Sequence, residues 1–361
     1  MKFVDEFHDP QLARELMAEI RREAKSLERV TLMEVCGTHT LSIFRYGIRD
    51  LLPRNIRLLS GPGCPVCVTP NAYLDLAIAH GRRPGVILAT FGDMMRVPGT
   101  ESSLEKEKAG GRNIRVVYST MDALNMAANH SSDLVIFLGV GFETTAPTVA
   151  ASILEAQRRG LENYKVLSAH KLVIPAMEML VNTPELSLDG FICPPHVSAI
   201  IGTHPYEPLV KSHSLPCVIT GFEPLDILQG ILMLVRQVRS HAPGVEIQYR
   251  RVVTPDGNAE ALSVMESVFE RCDSEWRGLG LIPLSGLRIR EAYAAFDMTR
   301  CLPMQVAPSP NDKGCRCGDV LRGIITPVEC PLFRKACTPE YPVGACMVSS
   351  EGTCAAYYKY S

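Results

Sequence analysis

Nine of the thirteen cysteines in this 361-residue chain fall into two groups near its ends. Cys36, Cys64 and Cys67 stand in the Gly-rich stretches V-C-G-T-H-T and G-P-G-C-P-V-C-V-T-P. Cys315, Cys317, Cys330, Cys337, Cys346 and Cys354 crowd the last 47 residues. A cysteine that only fills space is a small hydrophobe with no reason to cluster. Thiols collected in Gly- and Pro-rich loops point to thiolate chemistry or metal ligation.

The tail gives the stronger signal. Fourteen residues separate Cys315 from Cys330, six separate Cys330 from Cys337, and sixteen separate Cys337 from Cys354. Four thiolates from an irregular segment suit a four-cysteine zinc site or an iron–sulfur cluster. Zinc knuckles offer two tight cysteine pairs, and here only Cys315 and Cys317 stand close together, so the wide spacing favours a cubane cluster. Cys317 and Cys346 are left over, as structural residues or neighbouring thiols. Simple burial of all six is the bland alternative.

In the early group, Cys64-Pro65-Val66-Cys67 precedes Thr69-Pro70, which resembles a helix start. The field of a helix N-terminus stabilises thiolate, so a reversible dithiol pair is one reading; a Pro/Gly turn with packed cysteines is the other. Cys36 and His39 share one Gly-containing turn and could form a nucleophile or a soft metal site, although a lone C-x-x-H is more simply core packing. Three more polar residues stand in loops. Asp93 lies in F-G-D-M and is otherwise a turn carboxylate. His196 lies in C-P-P-H and is otherwise a satisfied semi-buried histidine. Glu351 lies in S-S-E-G-T-C and is otherwise a solvated turn residue. The stretch G-V-G-F-E-T-T (139–145) looks like a phosphate-cradling turn but lacks a third glycine and a Walker lysine, which disfavours a nucleotide site.

Composition narrows the class. With 46% hydrophobic and 21% charged residues and a net charge of −2, the chain reads as globular and has no basic field for nucleic acid. Met1 to Pro10 carry three acidic residues and no apolar run, so no secretory signal is expected. The apolar stretches 134–139 and 231–235 are too short to span a membrane. A cytoplasmic location follows as an expectation. Reducing conditions there, together with the odd cysteine count, speak against a disulfide scaffold.

The elements that must hold these residues alternate in type. Asp9-Pro10 caps a helix with an apolar stripe that ends near Arg29. Strands are predicted at 30–35, 56–60, 85–90, 115–119, 134–139, 165–168, 190–193 and 216–220. Helices are predicted at 71–80, 121–130, 145–159, 175–182 and 225–238, then a strand at 246–253 and a helix at 259–272. Such β-α alternation argues for an α/β fold with parallel sheets covered on both faces, and nearly every interesting loop follows the carboxyl end of a strand. A seam at 130–133 divides the pattern into halves. The expected organisation is an N-terminal helix (1–29) packing on the C-terminal domain, α/β domains at 30–131 and 132–239, and an irregular C-terminal domain at 240–361 that needs a metal staple.

Taken together, these motifs resemble the HypD family, maturation factors for nickel–iron hydrogenases. The resemblance runs through C-G-T-H-T (36–40), G-P-G-C-P-V-C (61–67), F-G-D-M-M-R-V-P-G (91–99) and G-F-E-T-T-A-P (141–147). It continues through G-F-E-P-L-D (221–226), G-L-G-L-I-P-L-S-G-L (278–287) and the cysteine-rich tail, covering almost the whole chain after the first helix. The pattern departs at Pro195, where the family has glycine. The resemblance implies two similar α/β domains facing a cleft and a third, irregular α+β domain with a 4Fe-4S cluster on Cys315, Cys330, Cys337 and Cys354. It further implies that Cys36 holds the iron of an Fe(CN)2CO unit with a HypC-type small chaperone, that a HypE-type partner delivers cyanide, and that Cys64 and Cys67 are the redox pair. Asp93, His196 and Glu351 match polar residues the family uses, and His39 or His196 could hydrogen-bond cyanide. The implied activity is that of a redox-active assembly scaffold rather than a turnover enzyme. A stand-alone iron–sulfur-linked thiol–disulfide oxidoreductase and a structural zinc docking protein are the alternatives.

Overall fold

Short apolar runs bounded by glycine or a polar turn form the strands, and the central ones are buried on both faces, as parallel sheets require. The first is β1 (Val30–Glu34), whose five residues are all buried; next come β2 (Ile56–Ser60), β3 (Val86–Thr90) and β4 (Ile114–Val116). They are followed by β5 (Leu134–Gly139), β6 (Tyr164–Ser168), β7 (Gly190–Cys193), β8 (Cys217–Ile219) and β9 (Val245–Ile247). The structure is a computed structural model that describes residues 7–306 and 314–361, so the reading of Met1 to Pro10 falls mostly outside the described residues.

The strands make two parallel sheets, ordered β2-β1-β7-β8-β9 and β4-β3-β5-β6. Renumbered within each sheet, the first follows the doubly wound order 2-1-3-4-5 and the second 2-1-3-4, and such sheets bind ligands outside the strand ends where the order reverses. The reversal lies between β1 and β7 in the first sheet and between β3 and β5 in the second. The chain does not divide at 130–133. A cut there would part β3 from β5, because the whole second sheet is inserted between β2 and β7 of the first. Local alternation reports which runs are strands and carries no record of such an insertion.

Asp9 caps the N-terminal helix Pro10–Ala24, accepting from the Gln11 backbone N–H at 2.8 Å. The stripe Leu16, Met17, Ile20 and Ala24 packs with Ile231, Leu232 and Val235 of the helix Pro224–Ser240. Ion pairs from Glu19 to Arg236 and from Glu23 to Arg239 flank this seam. The helix is thus seated on the first sheet's outer layer, which corrects its expected place on the C-terminal segment.

The helix expected at 259–272 stops at Val268, and the chain runs straight on into β10 (Phe269–Trp276), paired antiparallel with β11 (Gly280–Ile289). Met265, Val268, Phe269 and Cys272 keep helical spacing, which is why the pattern reads past the true end. Pairing of Phe269 with Ile289 wins over that local preference. Similarly, the strand expected at 246–253 shortens to β9. The tail beyond Thr326 holds mainly short turns, with one closing helix at Thr353–Tyr360. Among the described residues no helix is long and apolar enough to cross a membrane.

A continuous apolar core joins these parts. Met33 and Leu59 of the first sheet, Leu88 and Leu138 of the second, Trp276 of the hairpin, and Cys317 and Cys346 of the tail all belong to it. The N-terminal seam is a separate cluster, so its loss should lower stability without disturbing the thiols. Ile20, fully buried there, is expected to cost about 2–5 kcal/mol when truncated to alanine. A urea titration of Ile20→Ala should therefore show a lower midpoint, and an unchanged midpoint would mean that the seam is not stabilising.

Candidate functional site

At the reversal between β1 and β7, the chain leaves β1 through Val35 and Cys36 and turns at once into the helix Gly37–Arg45. Cys36 is the extended N-cap, and its backbone N–H donates to Glu34 Oε2 at 3.0 Å. The G-P-G-C loop after β2 lies directly against it. Gly37 N–H donates to the Gly63 carbonyl at 3.0 Å, and a Cβ on Gly63 would stand 2.1 Å from the Cys36 nitrogen. From the far end of the sequence, Glu351 closes the third side. A Cβ on Gly37 would meet the Glu351 Cβ at 2.5 Å, and Thr38 Oγ1 donates to Glu351 Oε1 at 2.6 Å.

Burial and the neighbouring Glu351 and Glu34 charges push the Cys36 thiol up to about 12, although the His39 and Thr38 backbone N–H groups oppose this. Glu34, fully buried, is itself pushed up to about 7 by burial, against hydrogen bonds from Ser60, Thr40 and the Cys36 backbone. Glu351 also acts on Asp93, whose carboxyl is raised mainly by burial, and on His196. Hence Cys36, Asp93, His196 and Glu351 share one electrostatic neighbourhood, drawn from β1, β3, β7 and the tail.

His39 has a different character. Its Nε2–H lies 2.9 Å from the Thr220 carbonyl and 3.0 Å from that of Gly221, while Nδ1 is buried without a partner. Burial holds it down to about 4, so the ring is neutral at pH 7. Phe222 lies between the two imidazoles, its ring centroid 4.9 Å from His39 and 4.6 Å from His196. The loop bearing Phe222 is braced by Gln248, which accepts from Gly221 N–H at 3.0 Å and donates to Asp226 at 2.8 Å. His39 therefore fixes the Cys36 turn to the β8 loop, whereas His196, exposed on the first turn of the helix Pro195–Ile201, keeps its ring available. Pro195 occupies the first helical position, where its missing N–H is harmless.

Cys64 caps the short helix Pro65–Val68, and its sulfur lies 2.7 Å from that of Cys67. Both are buried, at 3% and 0% exposure. The expected thiolate-stabilising field does not prevail at Cys67. Burial and the neighbouring thiols of Cys346 and Cys64 raise it well above the ordinary cysteine value and outweigh any field from the helix Asn71–Gly81 that follows Thr69-Pro70. Cys346 in turn lines an apolar cavity with Cys315, Cys317, Cys330, Cys337 and Cys354, walled by Leu332, Phe333 and Met347. Within it the Val343 N–H points at Cys337 Sγ at 3.4 Å, and burial with the surrounding thiols raises Cys354. Among the described residues, no three His, Cys, Asp or Glu side chains converge on a point where one ion could be held.

The residues singled out in the sequence thus form two adjoining groups. One surrounds Cys36; the other is the six-thiol cavity, reached from Cys64 and Cys67 through Cys346. Sequence reasoning passed over Glu34, whose only signal is a carboxylate in an otherwise apolar strand, and the bridging position of Cys346. It also read the Cys36–Thr40 stretch as a turn, where it is a helix start.

The sequence model of the HypD family, described as "Hydrogenase formation hypA family", matches residues 11–361. The chain is 50% identical over 367 residues to the hydrogenase maturation factor HypD of Azotobacter vinelandii, an alignment covering 100% of this chain and 97% of that protein. It is 48% identical over 368 residues to that of Cupriavidus necator, with 100% and 97% covered. To that of Escherichia coli it is 44% identical over 369 residues, with 100% and 98% covered.

The charge pattern around Cys36 has a direct consequence. Removing the Glu351 charge favours the Cys36 thiolate, so Glu351→Gln should lower its pKa and speed alkylation by iodoacetamide between pH 8 and 10. A fall of half a unit corresponds to about threefold more thiolate. Peptide-resolved mass spectrometry reads the rate at Cys36 alone; a rate equal to that of the unsubstituted chain would refute the electrostatic coupling.

Proposed function

The chain belongs to the HypD family, and from that premise we propose that it serves hydrogenase maturation as a redox-active scaffold on which an iron unit is assembled. The contiguity of its three sulfur groups carries this reading. Gly63 seats the Cys64–Cys67 loop on Cys36, Cys346 links Cys67 to the six-thiol cavity, and Glu351 returns the tail to Thr38. Packing alone gives no reason to bring every clustered cysteine into one connected unit.

Cys36 is the anchor for the cargo iron. Its thiol is held protonated by burial and by two nearby carboxylates, an arrangement that suits an incoming cation: ligation expels the proton, and the metal supplies the missing positive charge. Iron bearing cyanide and carbonyl is soft, and thiolate is a fitting ligand. His196 is placed to donate to cyanide, since the His39 Nε2–H is already committed to two carbonyls. Glu351 acts electrostatically on both Cys36 and Asp93, so these carboxylates share the surroundings of the anchor. The remaining coordination and the cyanide are assigned to a HypC-type chaperone and a HypE-type donor, both by family resemblance.

For the resident cofactor, the donor set fits a cluster better than zinc. A zinc site draws four donors to within about 2.3 Å of one point, whereas these thiols surround an apolar cavity and do not converge. A Cβ on Gly344 would lie 2.8 Å from Cys315 Sγ, so glycine leaves that wall open. Cys315, Cys330, Cys337 and Cys354 would hold a 4Fe-4S cluster, which would supply single electrons. The Val343 N–H tunes the Cys337 sulfur, and Cys346 stands between the cavity and Cys67. In this reading the two sheets act as α/β units facing a cleft, the tail as the cluster-bearing unit, and the location is cytoplasmic. Burial of Cys64 and Cys67 weighs against a stand-alone reductase of protein disulfides, whose attacking sulfur must be reached from outside.

Anaerobic infrared spectroscopy of the chain co-purified with its small partner tests the assignment. Cys36→Ala should abolish the cyanide and carbonyl stretches while leaving the brown cluster absorbance intact. Cys330→Ala should do the opposite to the absorbance. Persistence of the diatomic bands in Cys36→Ala would remove Cys36 from the role of iron anchor.

A further inference from the structure

The second sheet has its own strand reversal, and there G-F-E-T-T leaves β5 with a buried carboxylate that the scaffold reading does not use. Glu143 is 3% exposed. Its Oε1 accepts the Val173 N–H at 3.0 Å, and its Oε2, equally buried, has no hydrogen-bond partner. An unpaired buried carboxylate oxygen is costly, and it calls for an explanation such as a ligand. Glu143 also lines a cleft of about 660 Å³, within the size range of small-molecule sites. Leu172, Ile174, Pro205, Leu262, Met265 and Phe269 form its apolar walls.

The charged groups around this cleft differ in availability. Arg290 is committed, its Nε donating to the Glu266 and Phe269 carbonyls, and Glu270 pairs with Arg288. His204 is held between Glu207 and Asp256. Glu178 and Glu266 stand at the exposed rim. Arg271, exposed on β10, lines the same cleft and lies near enough to act on the Glu143 charge, yet the two form no ion pair. A carboxylate and a guanidinium therefore face one cleft of mixed character and leave a gap between them.

We propose that this cleft is a second ligand site, separate from the Cys36 site, which takes a small amino-acid-type zwitterion with an aliphatic body. The ligand's amino group donates to Glu143 Oε2, its carboxylate is received by Arg271, and its chain lies on the Leu262 and Met265 wall. Burial pushes Glu143 up to about 7, and a cationic head would draw it to the ionised form. Neither Glu143 nor Arg271 belongs to the cysteine groups, so the two sites stand or fall separately.

Calorimetric titration of the full chain with norleucine, hexylamine and hexanoate separates the contributions of the two heads. Norleucine should bind at least about tenfold more tightly than either half-ligand, a difference of one decade in dissociation constant. Glu143→Gln should bring norleucine down to the level of hexanoate. Arg271→Ala, at an exposed position that does not endanger folding, should bring it down to the level of hexylamine. The proposal fails if norleucine gains nothing over the half-ligands, if no probe binds up to roughly 10 mM, or if norleucine affinity survives Arg271→Ala.

Discussion

Three chain segments meet at Cys36 with no room for a side chain between their backbones. Gly63 lies against the Cys36 nitrogen, and Gly37 lies against Glu351, so the loop after β2, the turn after β1 and the tail are fixed relative to one another at van der Waals limits. Much of the architecture follows from this meeting. β1 and β2 must be neighbours to present their loops side by side, and the tail must cross the molecule to bring residue 351 to residue 37. The apolar core that unites both sheets, the hairpin and the tail is what holds that crossing in place. Loosening the loop after β2 would change the distance between Cys36 and the Cys64–Cys67 pair, because Gly63 sets backbone directly against backbone there.

Electrostatics at the same place runs opposite to that of a reactive cysteine. A nucleophilic thiol is activated by a nearby cation or a long helix, which lower its pKa. Here burial dominates, and it raises Cys36, Cys67 and Cys354 together, with the carboxylates adding to the effect at Cys36. Sulfurs kept neutral in this way are poor free nucleophiles but good recipients of a metal, whose charge reverses the balance once it arrives. Placing them in one low-dielectric region thus disfavours open thiol exchange.

Most strands of both sheets were legible because they are short apolar runs with sharp ends, whereas the exposed edge strands β4 and β9 stop well short of the expected residues. β2, β5 and β7 fall at the expected residues, and β1, β3, β6 and β8 within a residue or two. Order was harder to read. No local pattern reports that β7 returns to β1 after the whole second sheet, since that pairing depends on residues more than a hundred positions apart. β10 was concealed by helical spacing that happens to continue through Phe269 and Cys272, and short helices such as Gly37–Arg45 lack the length for a periodic signal. Candidate residues followed the same division. The six tail cysteines stand out by type and clustering, and all six line one cavity, whereas Glu34 is a single carboxylate in a strand and becomes meaningful only when its neighbours are known.

Two buried carboxylates near the strand reversals show how that distinction can be drawn. Glu34 ends β1 in the first sheet, Glu143 follows β5 in the second, and burial lifts each to about 7. Their surroundings differ in one respect. Both Glu34 oxygens are served, Oε1 by the Thr40 hydroxyl and Oε2 by the Cys36 N–H, so that carboxylate is fully used in shaping the turn beneath Cys36. Glu143 uses one oxygen to hold the Val173 N–H at the start of a helix and leaves the other without a partner. Equal burial and equal displacement of pKa therefore describe two different jobs. The hydrogen-bond inventory separates them, with a satisfied carboxylate built into the fold and an unsatisfied one turned toward a ligand.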